Sequence, residues 1–349
     1  MKTIKVLLPM FILIGLSACE KENLFDFGAQ GLIENPIPSP LPQEDLLPED
    51  FVNLTFTVRS QEDQMGKFAE NAMVEFNGKI WSIGGKNEHS AGTSLNAVWA
   101  SDNGEHWYSV TSGLFDERSA HTLTVFDNKM WLIGGVNNSG RHLSNVWYSE
   151  DGSTWVLATD TPAFGSAAYH NTIVFNGKLF LIGDASGGYI KVWSSVDGIE
   201  WEEENSMAFS SRENFRTVVF NNIIYVIGGN YTSISFNEIW ASNDGTEWSQ
   251  VTPSGTIFSA RFAHTVTVHE GRVWVVGGSN VSPSDFVLDF WYSDDMVEWI
   301  EYSGALPSTE GLANHAALSY NGEIWLFGGY QDEGSAIRMI GSIRSIHAD

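Results

Sequence analysis

From residue 51 onward the chain alternates short apolar runs with polar, glycine-bearing turns, and the pattern repeats. A typical unit opens with His121–Phe126, turns at Asp127-Asn128, and continues through Lys129–Ile133 to the pair Gly134-Gly135. Runs of five or six residues rich in β-branched and aromatic side chains, bounded by such turns, predict strands. Equivalent turns stand at Asn77-Gly78, Asn176-Gly177, Asn221-Asn222, Glu270-Gly271 and Asn321-Gly322. These residue types tolerate the positive φ that a two-residue hairpin needs. Glycine pairs recur at Gly84, Gly134, Gly228, Gly277 and Gly328, with a degenerate copy at Gly183-Asp184. The successive spacings are 50, 49, 45, 49 and 51 residues. A period near 50 is the signature of a repeat architecture.

Tryptophan fixes the rest of each unit. An aromatic (Trp81, Trp131, Phe180, Tyr225, Trp274, Trp325) stands three residues before each glycine pair or its copy. Third strands carry Trp99, Trp147, Trp193, Trp240 and Trp291, and fourth strands open at Trp107, Trp155, Trp201, Trp248 and Trp299. The interval between these two columns is eight residues in all five units, which fixes a hairpin register. All 14 Trp fall in the three columns, so they are packing residues first. Four strands per unit is the pattern of a propeller blade.

With its Gly-Gly ends, preceding aromatics and third strands such as Asn96–Trp99, Asn145–Trp147 and Asn237–Trp240, the region 51–349 resembles the kelch-repeat family, within the galactose-oxidase-like superfamily. The resemblance implies an all-β, six-bladed kelch-type propeller around a central channel. After Gly329 only one more strand is expected, within Ile337–Ile346, while an orphan strand, Val52–Val58, precedes the first unit. We expect that N-terminal strand to complete the last blade and close the ring, which removes exposed sheet edges. Turns such as Ser149–Trp155 are similar to the aspartate box of sialidase-type propellers. That box is structural, so it carries no implication of glycosidase chemistry.

Composition adds an address. Lys2 and Lys5 precede the apolar run Val6–Leu16, too short to span a bilayer as a folded helix but suited to a signal-peptide core. It ends in Leu16-Ser17-Ala18-Cys19, which resembles the lipobox of bacterial lipoproteins and implies cleavage and acylation at Cys19, the only Cys. Residues 1–18 are then a signal peptide. Residues 19–50, with prolines at 36, 38, 40, 42 and 48, are a semi-rigid tether after the lipidated Cys. The expected location is the outer membrane, lipid-anchored, facing periplasm or cell surface. A formal net charge of −25 and a pI near 4.5 argue against nucleic acid or an anionic membrane surface as partner, leaving the lipid as the membrane contact.

Candidate chemistry clusters near the first strands. One column reads Asn71, His121, His170, Phe215, His264, His315. A ring of imidazoles in the channel would be a metal or anion site. Recurrence with the repeat favours hydrogen bonding to a neighbouring blade instead, and no metal or cofactor is expected. Arg118, Arg212 and Arg261 lie in the loops entering these strands, with Arg216 just beyond and Glu213 beside them. They would serve an acidic ligand if they converge, or pair with local carboxylates if they do not. The single Cys sits at the lipobox, so the Tyr–Cys copper chemistry of galactose oxidase is excluded. The expected function is a surface-anchored module binding a glycan or protein at its loop face. Two rivals remain: an enzyme on acidic sugars similar to kelch-type sialic acid epimerases, and a structural subunit of an outer-membrane complex.

Overall fold

The computed structural model describes residues 54–60, 65–88, 93–185, 189–280, 285–306, 310–332 and 337–348. All described residues belong to one compact unit, Glu49–Asp349. The signal peptide, Cys19 and the proline-rich segment lie outside the described residues.

Among the described residues the strands form six four-stranded antiparallel sheets. Their inner strands are Ala72–Phe76, Thr122–Phe126, Asn171–Phe175, Arg216–Phe220, Thr265–His269 and Ala316–Tyr320. We number the sheets 1 to 6 in that order. In the first five, four consecutive long strands run outward by hairpins. Inner strands touch in cyclic order, the sixth returning to the first, so the protein is a β-propeller. Smaller two- and three-stranded sheets lie in the loops.

Sheet 6 is built differently. Its third strand is Ile343–Ala348 and its fourth is Leu54–Ser60 from the other end of the described chain, paired antiparallel with Thr55 opposite His347 and Thr57 opposite Ser345. The single late strand expected within Ile337–Ile346 is in fact two. Ile337–Met339 joins a small loop sheet with Tyr330–Asp332, and only Ile343–Ala348 enters the blade.

The apolar core is distributed between the sheets. Each buried cluster draws on two neighbours. Trp81 and Ile83 of sheet 1 meet Leu123, Leu132 and Trp155 of sheet 2. Trp325 and Phe327 of sheet 6 meet Ile80 and Trp107 of sheet 1. No blade has a core of its own, which is why such units are stable only in a closed array.

The tryptophan columns do this packing. The Ser-x-Asp-Gly turn between third and fourth strands is held by its own side chains. Ser149 Oγ accepts from the Gly152 amide (2.7 Å), while Asp151 Oδ1 accepts from Ser153 (2.8 Å) and Thr154 (2.7 Å). Those amides hold the Asp151 carboxyl down at a pKa of about 2. The fourth-strand Trp155 indole then donates to the Gly152 carbonyl (3.1 Å). This turn lies flat on the aromatic of the preceding sheet. A Cβ on Gly152 would stand 2.0 Å from the Trp81 ring, and Gly152 has φ of +77°. Gly152→Ala therefore meets both overlap and a left-handed backbone, and is expected to destabilise by about 3 kcal/mol. A fall in the urea midpoint at unchanged m-value is the check. In sheet 5 the same position is Met296 (φ 69°), buried in the cluster of Tyr225.

Candidate functional site

The inner strands enclose a cavity of about 410 Å³ that opens among the loops preceding them. Its geometry follows from three consecutive positions where the chain enters each inner strand.

The first position is a rim. Glu70, Ala120, Tyr169, Asn214, Ala263 and Asn314 all have φ between 53° and 58°. Non-glycine residues in this region each carry strain of order 1 kcal/mol or more, held only when the surroundings impose it. Here neighbouring sheets impose it. Glu70 donates its amide to the Asn314 carbonyl (3.2 Å), Asn314 to Ala263 (2.9 Å), Ala263 to Asn214 (3.1 Å), and Tyr169 to Ala120 (3.0 Å). Two arcs of backbone hydrogen bonds, one from Glu70 to Asn214 and one joining Tyr169 to Ala120, thus tie the mouth across sheet boundaries.

The second position holds the histidine column. His121 Nε2 bonds the Ile83 carbonyl of sheet 1 (3.1 Å), His170 Nε2 the Thr122 hydroxyl of sheet 2 (3.2 Å), and His315 Nε2 the Thr265 hydroxyl of sheet 5 (2.9 Å). Each ring sits over the glycine pair of the preceding sheet. Added Cβ atoms on Gly84 and Gly134 would lie 2.7 Å from His121 Cε1 and 3.0 Å from His170 Cε1. At Gly84, Gly134, Gly228 and Gly277 a side chain would collide with the ring or the backbone beside it. His264 is fully buried and neither ring nitrogen has a hydrogen-bond partner. Among the described residues no group of three or more His, Cys, Asp or Glu is placed to hold a metal ion. The column is a set of wedges between sheets. His121, His170 and His315 reach the cavity only as part of its wall, and His264 does not line it.

Burial holds His121, His170 and His315 neutral, with pKa values of about 3 against an ordinary 6.5. Nearby Arg118 adds to this for His121, and Arg216 for His315. These rings take up a proton only on unfolding, so acid favours the unfolded chain. Stability contributed by their neutrality is complete above about pH 6.5. It is lost toward pH 3 at about 1.4 kcal/mol per unit for each ring. We expect the urea midpoint to drop steeply over that window, and His315→Asn to flatten the drop.

The three loop arginines do not converge. Arg118, Arg212 and Arg261 are each 0% exposed and line no part of the cavity. Each is spent within its own sheet. Arg261 donates from Nη1 and Nη2 to both carboxylate oxygens of Asp289 (2.6 and 2.7 Å), and from Nη1 to the Gly277 carbonyl (3.0 Å). Arg212 pairs with Glu238 (2.7 Å) and reaches the Gly228 carbonyl (3.3 Å). Arg118 uses the Asn145 side chain (3.0 Å) and the Gly134 carbonyl (2.9 Å). Burial lowers the pKa of Arg118 to about 10. The reading of these three as a shared ligand site is corrected: they clamp the turn after the second strand to the start of the third. A local signal announces the role. Each stands three residues after a phenylalanine whose ring it overlies, Phe115, Phe209 and Phe258, at 5.1, 5.1 and 5.4 Å. Glu213 exchanges backbone hydrogen bonds with Asn230 (2.8 and 2.9 Å) and is absent from the cavity lining.

The third position faces the channel: Ala72, Thr122, Asn171, Arg216, Thr265 and Ala316, one from each sheet. Arg216 is the one cation of this ring. Above it, at the rim, Lys86 pairs with Glu70 (2.9 Å), and the Tyr330 hydroxyl donates to Glu70 (3.2 Å). Burial, then Glu70, pushes the Tyr330 phenol up. Tyr169 is raised likewise by burial, then by Glu70 and Glu213. The site is polar, with hydroxyls, amides, one guanidinium and a neutralised carboxylate at its entrance. Sequence reasoning passed over this ring because the repeat pattern marks wedges and turns, whereas this column differs from sheet to sheet. That variation is itself the signal that could have found it.

Fold and site together define a kelch-like β-propeller with a polar central cavity. Residues 136–340 match the model of the DUF6242 beta propeller domain, more than half of the chain, and the protein belongs to that family. Kelch domain-containing protein 3 of Rattus norvegicus and that of Mus musculus are each 25% identical over 179 residues, covering 46% of this chain and 47% of theirs. The chain thus spans about half the length of the curated relatives it matches. The solved structure of YjhT aligns with a TM-score of 0.64 at 13% identity, covering 83% of this chain and 99% of that one. At that identity the likeness is one of fold.

Proposed function

We propose that the protein is a six-bladed propeller, latched by its N-terminal strand and anchored to a cell envelope through lipid on Cys19. In this reading it works as a binding module that takes a small glycan into the mouth of its channel. The observation that carries the proposal is the cavity of about 410 Å³ walled by Asn and Thr side chains, within the size range of small-ligand sites. Its hydroxyl and amide groups match a ligand that offers many hydroxyls. Tyr169 at the rim adds an aromatic face of the kind sugar rings stack on. The strained rim, tied across sheets by backbone hydrogen bonds, holds these groups in place before a ligand arrives, which limits the entropy lost on binding.

A glycan array probed with the full chain tests this. Binding to saccharides that is lost on Asn171→Leu supports the reading. A blank array, together with capture of a protein partner that Asn171→Leu leaves intact, would replace it by a protein-docking face. The anchor is tested separately, by incorporation of labelled fatty acid that Cys19→Ser abolishes.

A further inference from the structure

We propose that Arg216 recognises a carboxylate, so that the ligand of the channel is a monoanion such as a uronic acid. The inference rests on the glycan reading above and names the class of glycan.

Arg216 is a charge without a counter-charge. The chain carries 43 acidic residues against 18 Lys and Arg, and among the described residues most semi-buried cations are paired with a carboxylate, Arg118, Arg216 and Arg344 being exceptions. Arg59 meets Glu323, Lys86 Glu70, Lys178 Glu204, Arg212 Glu238 and Arg261 Asp289. Among the described residues Arg216 has no carboxylate within ion-pair distance. Its guanidinium makes one hydrogen bond, from Nη1 to the carbonyl of its own neighbour Phe215 (3.0 Å). Arg118 and Arg344 also lack an ion-paired carboxylate, but Arg118 is sealed from solvent and held by Asn145 and Gly134, and neither lines the cavity. Arg216 instead opens onto the cavity.

The field of this cation is uncompensated. It reaches two neighbouring sheets, where it helps keep His264 and His315 unprotonated. Burial alone draws its pKa down to about 10, with no acidic group opposing the shift, yet at neutral pH it stays charged. An unpaired, desolvated guanidinium is costly to a fold, and a partner supplied from solution would relieve it.

The surroundings select the partner. Around the ring Arg216 is flanked by Asn171 of sheet 3 and Thr265 of sheet 5, and at the same position the sheet opposite presents the small Ala72, with Glu70 and Lys86 paired to each other at the rim. Space is left where a ligand must lie, and hydroxyl and amide groups stand where it must be oriented. The guanidinium fork fits a carboxylate edge to edge. A phosphate dianion would need a second positive group, and the other Lys or Arg of the lining, Lys86, is already paired with Glu70. One cation matches one negative charge.

Calorimetric titration of the full chain with D-glucuronate, D-glucose, acetate and inorganic phosphate tests this, in wild type and in Arg216→Gln and Arg216→Lys. We expect glucuronate to bind about tenfold or more tightly than glucose, as a charged hydrogen bond in a partly desolvated site provides. Arg216→Gln should erase that difference, bringing glucuronate binding down to the level of glucose. Arg216→Lys, which keeps the charge but loses the fork, should retain part of it. The melting temperature of Arg216→Gln should equal or exceed that of wild type. A fall of several degrees would make Arg216 a structural strut to Phe215 and overturn the inference. Equal binding of glucose and glucuronate to wild type and Arg216→Gln would remove the anion and leave the glycan reading standing. Arg216-dependent binding of acetate without any sugar would do the reverse. Preference for phosphate over both carboxylates would also overturn it.

Discussion

Removing the strand Leu54–Ser60 is expected to destabilise the propeller by roughly 5 kcal/mol or more, the burial energy of two large apolar side chains plus a ladder of hydrogen bonds. Leu54 and Phe56 pack into the cluster between sheets 5 and 6, with Phe56 edge-on to Phe290 at 5.4 Å. Arg59 fixes the other end. It donates to both oxygens of Glu323 (2.8 and 2.7 Å) and to Ser345 (2.8 Å), and stands 5.3 Å from the centre of the Trp325 ring. Without the strand, Ile343–Ala348 becomes an open edge, a template for aggregation. Chemical unfolding of a chain lacking residues 1–60 should show a lower midpoint and a shallower transition. The converse test strengthens the same seam. Thr55 and His347 are exposed cross-strand partners. A disulfide between Thr55→Cys and His347→Cys, in a Cys19→Ser background, closes a loop containing nearly the whole propeller. By chain entropy it should add about 5 kcal/mol. An unaltered midpoint in both experiments would mean that sheet 6 is stable without its fourth strand.

The second large effect is expected at Arg261. Arg261→Met should lower stability by about 3 to 5 kcal/mol, because it leaves the Asp289 carboxylate and the Gly277 carbonyl without their shared donor in a half-buried site. Arg118→Met should cost less, since its side-chain partner is the neutral Asn145. Neither change should alter ligand affinity, because both side chains lie outside the cavity lining. Thermal unfolding and calorimetric titration of the same variants separate the two roles. Lost affinity in a fully folded Arg261→Met would put this arginine back in a ligand site.

The wedge histidines and the clamp arginines look alike in sequence: polar, periodic and near the strand starts. What separates structural from functional here is the partner, and partners are remote along the chain. Arg261 finds Asp289 28 residues on, and His121 finds Ile83 38 residues back. Arg216 stood beside the arginines first singled out and differs from them first in its place along the chain. It begins an inner strand, whereas they end the loop before it, and a small shift along the chain exchanges a sealed position for one facing the channel. The Phe-x-x-Arg recurrence at 115–118, 209–212 and 258–261 was readable and marks the clamp. Arg216 lacks that phenylalanine: Arg212–Glu213–Asn214–Phe215 precede it.

By itself the sequence determined the repeat, the strand order within the first five sheets, the hairpin turns and the tryptophan columns. These depend on neighbours within a few residues, on φ > 0 at turn positions and on the two-residue period of a strand. Only the tertiary structure decided what lies between sheets. Which polar side chains are consumed as wedges and clamps, which charge is left without a partner, and where the cavity opens are set by contacts between units about 50 residues apart. Closure brings those units together, and one repeat examined alone cannot show which of its side chains a neighbour will claim.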